Sequence, residues 1–468
     1  MAGLTYTCIE LTFSSGDHAW LKQSIEGKRE EGEVMSAAKQ ATKYLFAIAT
    51  VYMCYLTHGV QAIIFSQNQV NFYTQWGFTD ATAGAAAVST AIMWVGIGKF
   101  ISVWIGGEIS DRIGRKIMAV GGGVLYIISF VIMLVTDNAT VACVAGFLSG
   151  VATSGFWDGS LYPAIAEANP KYSASTTIGI KLVISISGIV YPLFVAMNSG
   201  ANWHINVMIP IVMSVIATVM AICTPFIYDD ERKIAASSND EGAKNKAQEE
   251  IQAAKDAMLE QPNAMVNACT LFFGFLIMFI MYGAQQYTKQ FGITNLGLDA
   301  TTAAGLTSIY TVGSVVAVLF WAWMMGKLRW TPIKVILIDS ILAACALALV
   351  IIALPLNLGA GVVYVAIAVL GFSAAGGMLQ TGVTLRQMMC PGPRGRNVGM
   401  YYTFMGFASV FLPFIVGSMT KSVGEGSAVW IMMVLLLVAA IVSICMSLYV
   451  ISRFKKQFGY SAMEKMHD

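Results

Sequence analysis

Twelve stretches of about twenty mainly apolar residues follow one another along this chain, and no other feature limits the fold so tightly. In lipid a backbone N–H or C=O group has no water to bond, so a spanning segment must satisfy those groups within its own helix. Windows of this length predict spans near residues 44–67, 81–106, 117–136, 139–165, 174–198 and 203–227. Six more fall near 265–290, 299–325, 333–354, 360–385, 398–420 and 428–452. The reading is an all-α integral membrane protein: an N-terminal tail over 1–43, a six-helix bundle over 44–227, a linker over 228–264, a second six-helix bundle over 265–452 and a tail over 453–468. Composition agrees, since 12% of the residues are charged, against roughly 25% in soluble domains. A net charge of +2 gives no reason to expect nucleic acid as a partner.

Lysine and arginine set the orientation. With the N-terminus in the cytoplasm, only Lys289 and Lys421 of the 28 basic residues fall in external loops, while Lys99 and Lys181 fall inside spans. The opposite orientation would invert this bias. Both termini are therefore expected on the cytoplasmic side of a bacterial-type inner (cell) membrane. Residues 1–34 are polar and carry no apolar core of a signal peptide, and Met35 is a second candidate start. The polar stretch 228–263 contains a helix-like run, Glu241–Glu260, and reads as a solvated linker with one surface helix. Cys54, Cys143, Cys223, Cys269, Cys345 and Cys445 each sit alone in an apolar stretch, with the bearing of small buried hydrophobes. No paired-cysteine or Cys/His spacing suggests a disulfide framework or a zinc site, and no cofactor is expected.

The two halves resemble each other. Tyr73–Thr79 matches Tyr287–Thr294 with one insertion, and the Asp80–Gly84 run echoes Asp299–Gly305. Gly146-Phe147 echoes Gly371-Phe372, and Pro192 echoes Pro413, all in one order and at nearly constant spacing. Parallel repeats of this kind imply a pseudo-two-fold axis along the membrane normal, with a ligand site between the halves.

The loop between the second and third spans reads Gly107-Glu-Ile-Ser-Asp111-Arg112-Ile-Gly114-Arg115-Lys116. It resembles the Gly-x-x-x-Asp-Arg-x-Gly-Arg-Lys signature of the major facilitator superfamily, complete over ten residues and in the loop where that family carries it. The resemblance implies secondary transport by alternating access. It also implies a gating role for Gly107, Asp111, Arg112, Gly114, Arg115 and Lys116, which would latch the inner side in the outward-open state. Physically, Gly107 would let the helix end approach a neighbour, Gly114 would permit a tight turn, and Asp111 would face a helix N-terminus or a basic partner. The matching loop of the second half, Gly326-Lys-Leu-Arg-Trp330, lacks the acid, which points to an asymmetric gate. Gly371–Gly377, Asp158 with Tyr162-Pro163, and Lys181 with Tyr191-Pro192 are similar to a branch of bacterial facilitators related to shikimate and quinate transporters. The chain departs from the family's Arg-x-x-x-Gly pattern in helix four of many proton-coupled members, and from the Gly/Pro-rich helix five of drug antiporters.

Charged and polar groups inside the spans are the candidate site. A charge at a span's centre costs roughly 2.5–3.5 kcal/mol or more, so each needs a partner or water. Asp158 and Lys181 lie about 10 Å deep from the same surface at 1.5 Å per residue, on consecutive helices. Two readings stay open for them: both line a cavity, with Lys181 attracting an anionic group and Asp158 exchanging protons, or they form a static ion pair. Ser154, Asp158 and Tyr162 form one polar stripe. His58 and Gln61 share a face of the first span, and His58 is a second candidate for carrying coupling protons. Tyr282, Gln285 and Gln286 on the seventh span, with Gln380 and Thr384 on the tenth, are candidate hydrogen-bonding groups for a solute. Arg386 reads as a gate or interface residue. Lys99 and Asp339 are read as snorkelling or structurally paired, and Trp321, Trp323 and Trp330 as interface anchors.

The expectation is a secondary transporter, working as a monomer in the bilayer, for a small polar organic acid or polyol acid, with protons as the coupling ion. The alternatives are a drug or metabolite efflux antiporter and a non-transporting solute sensor. No Walker loop supports ATP-driven transport, and no HExxH or GxSxG pattern supports an enzyme.

Overall fold

The computed structural model describes residues 31–168, 173–198, 200–230, 252, 255–256, 258–353, 355–356, 358–391 and 394–466. Twelve helices among them are long and apolar enough to cross a membrane. They are α1 (Leu45–Gln67), α2 (Ala81–Ile113), α3 (Arg115–Val135), α4 (Ala139–Ile165), α5 (Gly179–Met197) and α6 (Ile205–Asp230). The second half holds α7 (Ala264–Leu296), α8 (Ala300–Lys327), α9 (Pro332–Ala353), α10 (Ala360–Met389), α11 (Asn397–Val423) and α12 (Glu425–Phe458). Residues 1–30 and most of the Glu241–Glu260 run lie outside the described residues, whereas Met35 falls within a helix over Glu31–Gln67.

Local chemistry sets the helix ends. Asp80 caps α2 by accepting from the backbone N–H groups of Thr82 and Ala83, and Asp299 caps α8 through Thr301 and Thr302. Each carboxylate meets the donors and the positive end of its helix. The same cap at the same place in both halves is the repeat made visible. Asn138 and Asn263 do the same for α4 and α7. A second repeated feature lies mid-membrane: α4 widens into a π-helix over Val151–Asp158, and α10 does so over Gly371–Gly377. π-turns of this kind gather at functional sites because they re-aim the side chains that follow. Each is held against its neighbour by glycine. A methyl on Gly106 of α2 would run into the carbonyl of Gly155 in α4, and one on Gly371 of α10 into the carbonyl of Tyr310 in α8. Small residues of this kind let helix backbones approach closely in lipid.

The hydrogen bonds that join the two halves gather at one end of the bundle, where α1 meets α2 and α7 meets α8. Three side chains on one face of α7 donate to carbonyls in the last turns of α1: Gln286 to Ala62 (2.5 Å), Lys289 to Gln67 (2.5 Å) and Gln290 to Ser66 (2.7 Å). A cation at the C-terminal end of a helix is favoured by its dipole. Gln69 adds a bond to Glu425 of α12, and Ser308 of α8 donates to the Ile189 carbonyl of α5. Lys289 was expected in a loop. It is buried inside α7 instead, because that helix runs on to Leu296.

At the opposite end the chain's C-terminal residues fold over the α8–α9 turn. Trp330 pairs with Lys465, the Met466 N–H donates to the Arg329 carbonyl (2.7 Å), and Thr331 donates to the Ala462 carbonyl (2.5 Å). Other expectations need correction. Trp321 faces inward, in a cluster with Ala317, Met324 and Val335, whereas Trp323 is exposed. Cys223, Cys345 and Cys445 face outward. Asp339 neither snorkels nor forms an ion pair among the described residues: it is 0% exposed, and the polar group beside its carboxyl is the Trp321 indole N–H. Among the described residues no group of His, Cys, Asp and Glu could hold a metal.

Candidate solute-binding cavity

A cavity of about 140 Å³ lies between the halves. The N-terminal half supplies Tyr55 and His58 from α1, Lys99 and Val103 from α2, Thr153, Ser154, Asp158 and Tyr162 from α4, and Lys181 from α5. The C-terminal half supplies Met278, Met281, Tyr282 and Gln285 from α7, Leu379 from α10, and Tyr402, Met405 and Ser409 from α11.

Asp158 is the last residue of the α4 π-turn, and its two oxygens are held separately. Tyr55 donates to Oδ1 (3.0 Å) and Ser154 donates to Oδ2 (3.0 Å), so the predicted Ser154–Asp158 stripe is present. The Tyr55 and Tyr162 rings lie against each other at 5.2 Å. His58 Nδ1 lies 3.1 Å from the Tyr126 hydroxyl, which shares a 2.5 Å hydrogen bond with Thr153. Lys181 and Asp158 both line the cavity, yet no ion pair joins them. Lys99 is a second cation in the wall of the same cavity.

A span that ends at residue 106, as the apolar window alone predicts, would place Lys99 near the surface. The helix continues through the motif to Ile113, so Lys99 sits roughly 20 Å from that end at 1.5 Å per residue. A charge at that depth needs a polar cavity, and it has one. Of the other predicted groups, His58, Asp158, Lys181, Tyr282 and Gln285 reach the cavity. Gln61 does not. It turns to α4 and donates to Ser149 (3.0 Å), which satisfies it as a packing group. Gln286 is part of the closed end described above, and Thr384 lies away from the cavity wall. The side chain of Gln380 lies outside the described residues. Tyr55, Tyr402 and Ser409 were missed. A tyrosine or serine in an apolar span carries no sequence signal that separates a cavity wall from ordinary packing.

The Gly107–Lys116 motif forms a second cluster, at the end opposite the closed one. Buried Arg115 donates to Asp111 (2.7 Å), Ser110 (2.6 Å) and Glu167 (2.9 Å), and its guanidinium lies 4.2 Å over the Tyr228 ring. Partial burial pushes the Glu167 carboxyl above its ordinary value, with Arg115 pulling the other way. Exposed Arg112 pairs with Glu108 (2.5 Å). Of the two partners open to Asp111, a helix N-terminus or a basic group, it takes the basic one, Arg115. The N-terminus of α3 is met by Asp229, which accepts from the backbone N–H groups of Arg115 (2.8 Å) and Lys116 (2.8 Å). Gly114 turns the chain at φ 105°, where only glycine is at ease, and a Cβ there would strike Asp229. Gly107 faces open space, so the close approach expected of it belongs to Gly106. Asp229→Ala is expected to cost about 0.5–2 kcal/mol, as loss of other helix caps does. A thermal midpoint in detergent equal to that of the parent would refute the cap.

The sequence model of the Major Facilitator Superfamily matches residues 45–392, from α1 through α10 and across the motif. The chain belongs to that superfamily. It is a multi-pass membrane transporter of major facilitator type, and its family is not one of enzymes. Among curated proteins it is similar to the inner membrane transport protein YdiM of Escherichia coli (strain K12), 28% identical over 79% of this chain and 86% of that one. It is likewise similar to the inner membrane transport protein YdiN of the same organism, 26% identical over 81% and 85%. Among solved structures, a D-xylose–proton symporter superposes with a TM-score of 0.67 at 15% identity, covering 86% of this chain and 97% of that one. The nucleoside transporter NupG gives 0.65 at 14% identity, with 86% and 99% covered. At such identities these last two report the fold.

Proposed function

We propose that this facilitator is a secondary active transporter, a proton-coupled importer of a small hydroxylated organic acid, and that it works as a monomer with both termini in the cytoplasm. The observation that carries this reading is the cavity's charge balance. Two lysines, Lys99 and Lys181, face one carboxylate, Asp158. In a low-dielectric interior an excess cation is costly, and an anionic substrate group removes the cost. Tyr55, Tyr162, Tyr282, Tyr402 and Gln285 supply donors and acceptors for hydroxyls, and ring faces for the carbon skeleton.

Lys181 would hold the carboxylate of the substrate. Asp158 would carry the coupling proton, passing it at the oxygens now held by Tyr55 and Ser154. In this reading the closed α1–α7 end is extracellular, the conformation faces inward, and the Asp111–Arg115–Glu167 cluster is the gate on the cytoplasmic side. A cavity of about 140 Å³ falls below the roughly 300–1,000 Å³ common for drug-sized ligands, which weighs against efflux of amphipathic drugs.

The test is uptake into proteoliposomes under an imposed pH gradient, with a panel of shikimate, quinate, hexuronates, neutral sugars and a cationic dye. Gradient-driven uptake of one of the acids is expected. Lys181→Ala should raise its KM about thirty-fold or more, because truncating one partner of a buried charge pair costs about 2–5 kcal/mol and 1.4 kcal/mol is tenfold. Transport of the dye alone, or acid uptake indifferent to Lys181, would overturn the reading.

A further inference from the structure

A second and larger cleft, of about 540 Å³, opens on the outer face of the bundle near its closed end. Its walls are two helix faces of the N-terminal half. Ala87, Thr90 and Trp94 recur at helical spacing on α2, and Ala139, Thr140, Cys143, Val144 and Phe147 do so on α4. The Trp94 and Phe147 rings meet edge to face at 6.2 Å and form an aromatic floor. Thr90 turns its hydroxyl back onto the Ala86 carbonyl, which leaves the wall around it apolar. The single charged group of the lining comes from the other half: Lys421, exposed in the last turn of α11. Lys421 makes no hydrogen bond or ion pair among the described residues.

The groove therefore offers an apolar slot with an unpaired cation at its mouth. From Ala87 to Trp94 it descends about 10 Å along α2, at 1.5 Å per residue. It begins near the helix ends, where a membrane places its headgroups, and runs into the hydrocarbon. We propose that the groove is a binding site for an anionic phospholipid, with one acyl chain lying between α2 and α4 and the phosphate on Lys421. A neutral lipid could fill the slot equally well, so the lysine is what selects charge. The slot belongs to one half and the cation to the other, so a lipid in place bridges the halves at the end that Gln286, Lys289 and Gln290 already hold. Such a ligand favours this conformation over one in which the halves part there.

Trp94 sits in the slot and is 38% exposed, so it can report its own occupant. The full chain is reconstituted in phosphatidylcholine vesicles with increasing amounts of brominated phosphatidylglycerol, or of brominated phosphatidylcholine. Bromine quenches a neighbouring indole, and the Trp94→Phe variant isolates the contribution of Trp94 by difference. The expected result is about a five-fold preference for the anionic lipid at Trp94, the factor one lysine gives near an anionic surface. Lys421→Gln should bring that preference to about one, and Lys421→Arg should keep it. Val144→Phe, which fills the slot and leaves the cation, should protect Trp94 from both brominated lipids. Equal quenching by the two lipids in the parent protein would overturn the proposal, as would a preference that survives Lys421→Gln or quenching unchanged by Val144→Phe. The readout is binding alone, so it stands or falls apart from the transport reaction.

Discussion

Asp158→Asn is expected to abolish accumulation of the substrate under a pH gradient while leaving exchange of internal for external substrate in place. The amide keeps the size of the carboxyl and can still accept from Tyr55 or Ser154, at the two positions the oxygens now occupy. It has no acidic proton to give up. A transporter that must release its proton before its empty form can return would then stall in net transport, whereas exchange never requires the empty form. Net uptake should fall to the level of protein-free vesicles, and counterflow should stay near that of the parent. Loss of both together would mean that Asp158 only holds α4 and α1 in register. Preservation of both would remove it from coupling and leave His58 as the candidate, since its ring also faces the cavity.

The second large effect concerns folding. Gly371→Val should deprive the protein of a stable, monodisperse folded state in detergent. The new Cβ would fall on the carbonyl of Tyr310, a backbone atom that cannot swing aside as a side chain can. Overpacking in a fitted interior typically costs about 1–3 kcal/mol, and more where backbone must move. Here α8 and α10 would have to separate at the mouth of the π-turn. Size-exclusion chromatography of a fluorescent fusion is the direct check. Gly107→Ala is the fitting control, because Gly107 faces open space and the substitution should be silent in the same assay. A Gly371→Val peak as sharp and as thermally stable as the parent's would show that the helices are not in contact there.

The spans, the repeat and the family were legible because each is written in a one-dimensional code. Lipid demands long apolar runs, and the Asp80 and Asp299 caps recur at matching positions because both halves solve the same helix-start problem. The site was legible only in part. Asp158 and Lys181 stood out since charge is rare in a span, and both face the cavity. Lys99 carries the same signal, but its depth depends on where α2 ends, and the helix runs past the apolar window to Ile113. Gln61 and Gln286 show the other limit. A buried amide announces that it needs a partner, and the sequence does not say whether the partner is a ligand, Ser149 or the Ala62 carbonyl. That choice depends on how each helix is rotated within the bundle, which periodicity alone does not set. Asp339 is a comparable case: its charge is plain in the sequence, and its burial beside the Trp321 indole is not.

The unequal count of lysines and carboxylates in the central cavity bears on energetics at the scale of the whole membrane. An acid anion that enters with one proton carries no net charge across the bilayer. On the proposed mechanism, the empty cavity with Asp158 ionised and the loaded one with Asp158 protonated and the anion seated hold the same net charge. Voltage acts with about 2.3 kcal/mol per elementary charge per 100 mV, but only on steps that move charge. A full cycle moves no net charge, so a membrane potential imposed with valinomycin and potassium should leave the final accumulation unchanged, while an equivalent pH gradient raises it. In a cell, such a carrier would follow the acidity outside and be indifferent to the voltage that powers its electrogenic neighbours.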